Sequence, residues 1–288
     1  MKIRAPAKIN FGLRITGKRA DGYHRLDTIL IPVSLYDEIE IKKLATEKTE
    51  KKSRALITLS CDQPSIPLDE KNLAYRAARE ILDRCRIAAR LHIDIRKQIP
   101  VGAGLGGGST DAAATLVGLN KLLRLGLSDR QLEKIGVRLG ADVPFFIRGK
   151  PARARGIGDR LTLLKDFPRR WLVILYPKFA VSTGWVYRNY AFKLTKPMPN
   201  TSIEARLGNT NGINELLVND LEAVTIARFP QIDSLKRGLI RTGALAALMS
   251  GSGSSVFGIF SSHQKAIRAF DQLQRESSFD AFLVRTLN

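Results

Sequence analysis

Apolar and polar residues alternate through much of the first hundred positions. Ile9, Phe11, Leu13 and Ile15 fall on one face of a strand over residues 8–16. Residues 26–33 are apolar enough for a buried strand, 36–43 alternate again through Ile39 and Ile41, and 55–61 form another strand. The nearly all polar stretch 46–54 predicts a solvated hairpin tip. Leu91, Ile93 and Ile95 alternate within 91–97. With few long helices among these strands, the pattern predicts a mixed, largely antiparallel sheet.

The period then changes. Residues 72–84 set Leu73, Ala77, Ile81, Leu82 and Cys85 on one helical face. Residues 110–121 are alanine-rich and helical, and Ser128 with Gln131 makes a capping box for a helix that Gly140 ends. Residues 143–154 read as a strand and crossing segment. A strand over 171–176 stops at Pro177. Helical patterns over 213–228 and 232–241, short strands over 245–249 and 256–260, a helix over 263–275 and a strand over 281–285 complete the chain, with 193–209 its most loop-like part. The expected fold class is α+β in two domains, 1–154 and 155–288.

One stretch organises the chemistry: Pro100, Val101, Gly102, Ala103, Gly104, Leu105, Gly106, Gly107, Gly108, Ser109 and Thr110. A strand precedes it, and a helix that Ser109, Thr110 or Asp111 can cap follows. Free amides and the positive end of a helix dipole then face one point, an anion site suited to a polyphosphate. The loop lacks the Gly-Lys-Ser/Thr ending of a Walker A loop and the acidic residue of a dinucleotide fingerprint.

Composition narrows the setting. With 288 residues and 44% hydrophobic content the chain can bury proper cores. Cys61 and Cys85 are its only cysteines, and no apolar leader or membrane-length run is present, which points to a soluble protein of a reducing, cytoplasmic compartment. Lysine and arginine number 47 against 27 acids, a net charge of +20. The basic residues are spread along the chain with no nucleic-acid motif, which favours a general surface bias with some steering of anions over nucleic-acid binding.

The run 100–110 resembles the phosphate loop of the GHMP kinases, and its Gly-Leu-Gly-Gly-Gly-Ser form resembles that of the diphosphocytidyl-methylerythritol kinases. Pro6-Ala-Lys-Ile-Asn10 followed by Gly22-Tyr-His24 is similar to the opening of the same group, Gly140-Ala-Asp-Val-Pro-Phe-Phe146 to its second motif, and residues 249–257 to the third, glycine-rich one. The resemblance implies a two-domain fold, ribosomal-protein-S5-like at the N-terminus and ferredoxin-like at the C-terminus. It implies ATP and Mg²⁺ as cofactors, with ATP on residues 100–110. Asp142 becomes the catalytic base, and Lys8 and Asn10 sit by the reacting hydroxyl. Tyr23 and His24 hold a cytosine, joined by Thr183 and Tyr187, while Asn72 and Lys97 neighbour the adenosine. Asn219-Asp-Leu-Glu222 also recurs in the group and is assigned only a structural part. The Ser-Ser usual in the superfamily is Gly107-Gly108 here, which leaves the metal ligands unassigned. The implied reaction moves the ATP γ-phosphoryl to the 2-hydroxyl of 4-diphosphocytidyl-2-C-methyl-D-erythritol, a step of non-mevalonate isoprenoid synthesis, in a monomer or weak homodimer without nucleic-acid or membrane partners.

Overall fold

The computed structural model describes residues 1–44, 55–165, 167–191, 198 and 216–288. The chain divides into two compact units, interleaved in sequence. The first comprises Met1–Ala7, Tyr36–Ile99 and Gly106–Gly149; the second comprises Lys8–Leu35, Pro100–Leu105 and Lys150–Asn288. Residue 154 falls within the second unit.

Strands β1 (Lys2–Lys18) and β2 (His24–Leu44) pair and contribute to both units. The two strands expected over 26–33 and 36–43 are one continuous strand. The polar Ser34 does not break it, because its hydroxyl accepts the Arg285 N–H at 2.9 Å.

In the first unit, the later half of β2 pairs antiparallel with β4 (Arg90–Arg96), and β4 pairs parallel with β3 (Leu56–Cys61). Ile39, Ile41, Ile57, Leu91, Ile93 and Ile95 are buried there. Four helices accompany these strands: α1 (Leu73–Cys85), α2 (Gly107–Leu122), α3 (Asp129–Leu139) and α4 (Val143–Arg148). A Cβ added at Gly118 of α2 would lie 2.3 Å from Ile3 Cδ1 and 2.8 Å from Ile41 Cδ1, so the helix lies directly on the sheet. The Ser128–Gln131 capping box starts α3 as expected.

Residues 143–148 are helix α4, not strand. Pro144 sits in the first turn, where its missing N–H costs nothing, and Val143, Phe145, Phe146 and Ile147 are all buried. Strand β5 (Ala152–Gly156) follows in the second unit.

There the early half of β2 pairs with β5, and β5 with β6 (Arg160–Leu163). A four-stranded antiparallel sheet runs β10 (Asp280–Arg285), β7 (Trp171–Tyr176), β9 (Val256–Phe260), β8 (Ala246–Met249). Helices α5 (Thr183–Asn189), α6 (Glu222–Arg228), α7 (Gln231–Arg241) and α8 (His263–Leu273) belong to the described part of this unit. Its core includes Leu13, Ile15, Val173, Leu175, Leu239 and Phe260. Thr286 N donates to Arg170 O at 3.0 Å, and Leu287 N to Pro32 O at 2.8 Å.

The hairpin tip at 46–54 and nearly all of the loop at 193–209 lie outside the described residues. So does the start of the helix expected over 213–228, whose described part becomes α6 only at Glu222, after an isolated bridge at Asn219. Among the described residues no helix is long and apolar enough to cross a membrane.

Candidate active site

The glycines of the phosphate loop do what their lack of a Cβ allows. Gly102, Gly104 and Gly106 have φ of 65°, 77° and 78°. Gly106 itself is the N-cap of α2, with no side-chain cap bond, so the expected caps Ser109, Thr110 and Asp111 lie inside the helix. A side chain is not needed there because a left-handed glycine turns the chain into the helix. Thr110 N returns to Gly106 O at 2.9 Å, and the preceding amides of the first turn are those an α-helix leaves for an anion.

The carbonyls before the helix have partners of their own. Gly102 O accepts from Val181 N at 3.0 Å, Ala103 O from Ser255 N at 3.1 Å and Leu105 O from Lys8 N at 2.9 Å. Gly104 O accepts from Ser250 Oγ at 3.0 Å. Four consecutive carbonyls are thus occupied within the second unit. At Gly104 the approach is so close that an added Cβ would lie 2.1 Å from Ser250 O.

Lys8 and Asn10 are 5% and 4% exposed. The Lys8 ammonium donates to Asn10 Oδ1 at 2.5 Å, Asn10 Nδ2 to Thr28 Oγ1 at 2.9 Å, and Thr28 Oγ1 to Gly12 O at 2.6 Å. Asn10 N donates to Ser250 Oγ at 3.2 Å. The cation is held at the end of a chain of hydrogen bonds that fixes its direction.

Asp142 occupies the N-cap position of α4 and is half-buried, with no side-chain cap bond. Its turn lies beside the first turn of α2, since a Cβ at Gly140 would be 3.6 Å from Ser109 Oγ.

In the second unit the His24 ring stacks on Tyr187, with centroids 5.3 Å apart and planes at 28°, and meets Tyr190 edge-on at 6.0 Å. Burial, aided by the Lys18 charge, pushes the His24 pKa below its ordinary value. Tyr23 beside it is 62% exposed. Thr183 Oγ1 and Ser252 Oγ share a hydrogen bond of 2.9 Å, tying α5 to the third glycine-rich loop.

The GHMP kinases N terminal domain family matches residues 72–150, and the GHMP kinases C terminal family residues 203–278. A 4-diphosphocytidyl-2-C-methyl-D-erythritol kinase of Citrifermentans bemidjiense is 47% identical, covering 100% of this chain and 99% of that protein. One of Syntrophotalea carbinolica is 48% identical, over 99% of this chain and 98% of its own. The chain belongs to the 4-diphosphocytidyl-2-C-methyl-D-erythritol kinase family. A crystal structure of a 4-(cytidine 5'-diphospho)-2C-methyl-D-erythritol kinase agrees with it at a TM-score of 0.85 and 33% identity, covering 100% of both chains. Homoserine kinase from Cytophaga hutchinsonii shares the fold, with a TM-score of 0.75 at 19% identity over 100% of this chain and 94% of its own.

For a member of this kinase family, two expected adenosine neighbours have structural partners. Asn72 caps α1, accepting from Ala74 N at 2.9 Å. Lys97 Nζ is buried between Asp37, which it contacts closely, and Asp111 at 2.8 Å. Burial pushes the Asp111 carboxyl up to about 7, with Lys97 opposing and Asp37 adding to the shift. Asp37 Oδ1 also accepts from Gln98 N and Ile99 N, fixing the entry to the phosphate loop. The sequence does not single out Asp37, Thr28 or Tyr190, and it marks Ser250 only as part of the 249–257 run. Each acts through a partner remote along the chain, and only the aromatic character of Tyr190, three residues after Tyr187, was a usable signal.

Among the described residues no group of three or more His, Cys, Asp or Glu is placed to hold a metal.

Proposed function

We propose that the chain transfers the γ-phosphoryl group of ATP to the 2-hydroxyl of 4-diphosphocytidyl-2-C-methyl-D-erythritol, giving the 2-phosphate and ADP in the non-mevalonate route to isoprenoids. The two family domains carry this out, one up to about residue 154 with the phosphate loop and Asp142, the other beyond it. The observation that carries the reading is Gly106, a left-handed N-cap with no side-chain bond, which leaves the first-turn amides of α2 for a polyphosphate.

Phosphoryl transfer through a loose transition state needs positioning and spread of charge more than covalent chemistry. Residues 100–110 bind the ATP phosphates through backbone amides. Asp142 takes the proton of the tertiary hydroxyl as it attacks, and Lys8, aimed by Asn10, holds base and alcohol in register. A Mg²⁺ held mostly by water and phosphate oxygens would screen the phosphate charge. His24 reads the cytosine edge as a neutral ring, Tyr187 and Tyr23 offer faces for stacking, and Thr183 lies at the same edge. The enzyme works in the cytoplasm as a monomer or weak homodimer, with no nucleic-acid or membrane partner.

The deciding experiment is a coupled ADP-release assay with the cytidyl alcohol, mevalonate and homoserine in parallel. Turnover with the cytidyl alcohol alone is expected. Faster turnover with either of the other acceptors overturns the substrate assignment.

A further inference from the structure

The Asn219-Asp-Leu-Glu222 run lies against the third glycine-rich loop. Asn219 is 6% exposed, and its one amide nitrogen donates to Met249 O at 2.9 Å and to Gly251 O at 2.7 Å. Its oxygen accepts Leu221 N at 3.0 Å, closing its own turn. Glu222 Oε1 accepts Met249 N at 2.9 Å while Oε2 takes Lys236 Nζ at 2.6 Å. Thr225, fully buried one turn on, donates to Ser252 O at 3.2 Å. The same run is bonded to β1, the strand of Lys8 and Asn10: Asp220 Oδ2 accepts Ile15 N at 2.7 Å, and Asp220 N donates to Leu13 O at 3.0 Å.

The carbonyls of Met249, Gly251 and Ser252 are therefore all drawn toward α6 and the turn before it. The N–H groups of Gly251, Ser252 and Ser254 have no protein acceptor among the described residues, although these three residues are buried. Buried N–H groups left unpaired are costly, and a short run of them whose carbonyls are tied back forms an anion-binding concavity. This loop also bears on the catalytic strand, since a Cβ at Gly251 would lie 3.1 Å from Asn10 Oδ1 and 3.4 Å from Lys8 Nζ.

We propose that Asn219 is a positioning residue for the nucleotide phosphates: by holding the Met249 and Gly251 carbonyls it keeps the N–H groups of Gly251, Ser252 and Ser254 turned out as a second anion nest, with Glu222 and Thr225 fixing the rest of the loop. The inference rests on the kinase reading above, but it concerns nucleotide affinity and not the acceptor. Asparagine is required because its amide supplies two hydrogens to two carbonyls; aspartate has the same shape and supplies none.

The test is Asn219→Asp, with Thr225→Val as a milder second variant, each checked for folding by circular dichroism and thermal unfolding. Calorimetry measures binding of a non-hydrolysable ATP analogue and, separately, of adenosine, which has no phosphate. A folded variant should bind the analogue about tenfold more weakly, the scale of one lost hydrogen bond to a charged group, while adenosine affinity stays within about twofold. Val284→Ala, a core truncation in β10, should lower the melting temperature and leave both affinities unchanged. Unchanged analogue affinity in the folded variants, or a parallel loss of adenosine affinity, overturns the proposal. A wild-type enzyme that binds the analogue but ignores the cytidyl alcohol sinks the acceptor assignment and leaves this inference standing.

Discussion

Lys8 and Asn10, two residues apart on β1, form a charge-assisted hydrogen bond of 2.5 Å within the protein interior. The partnership aims the ammonium, because Asn10 is itself fixed by Thr28. Lys8→Met keeps the stem and removes the charge. It should lower kcat by roughly 10²–10³-fold, the scale of losing one preorganised electrostatic contact, with little change in the KM for ATP. Steady-state ADP release measures both, and a purely KM effect would remove Lys8 from the chemistry.

Asp142→Asn preserves shape at the start of α4 and removes the base. Turnover should fall by roughly 10²–10⁴-fold, while calorimetric affinity for ADP stays at the wild-type value. Near-normal turnover would mean that the acceptor hydroxyl loses its proton elsewhere.

The His24–Tyr187 pair predicts a selective defect. Tyr187→Ala should raise the KM for the cytidyl alcohol by about tenfold or more, within the 1–3 kcal/mol usual for losing a ring that stacks on a base, and leave that for ATP unchanged. Tyr187→Phe should behave as wild type. Because the His24 pKa is lowered, its ring is neutral at pH 7, and the cytidyl KM should begin to rise only as pH falls below the ordinary histidine range. A rise centred above pH 7 would contradict this.

Alternation made the strands legible, and proline, glycine and serine marked the phosphate loop, the third loop and the start of α3. What failed was non-local or depended on backbone sign. That Gly106 would adopt positive φ and replace the three candidate caps cannot be read from residue type alone. Residues 143–148 looked like strand because their apolar run carries no helical period over so short a length. The joining of the strands over 26–33 and 36–43 was not legible, since the Ser34 bond to Arg285 spans most of the chain. The Lys97 grouping joins residues 37, 97 and 111, and carboxylates so far apart along the chain cannot be matched to a lysine from sequence.

That grouping sets a pH dependence. The folded Asp111 carboxyl titrates at about 7, well above its ordinary 3.8, so the folded state binds the extra proton between those values. Its contribution to stability is therefore full below about pH 4 and is lost as pH rises through 7. Asp111→Asn removes the titration. Urea unfolding should show wild type losing stability relative to the variant from pH 4 to 7.5; a constant difference would place the Asp111 carboxyl at its ordinary value. A Cβ at Gly107 would lie 3.2 Å from Lys97 Nζ, so this grouping lies against the first turn of α2.

Gly104→Ala meets both a φ of 77° and Ser250 O at 2.1 Å. The variant should lose at least about 2 kcal/mol of stability and bind ATP more weakly, because the backbone must retreat from Ser250. Thermal unfolding together with nucleotide titration measures the pair of effects.

The bonds from Arg285 and Leu287 to Ser34 and Pro32 impose an order on biosynthesis. A ribosome delivers Pro32 and Ser34 some 250 residues before Arg285 and Leu287 emerge. Until then this short apolar stretch, beyond the pairing with β5, lacks its last mates, the kind of exposed edge that invites aggregation during translation. Trimming the last four residues should therefore reduce soluble yield in the cell more than it reduces the activity of molecules already folded.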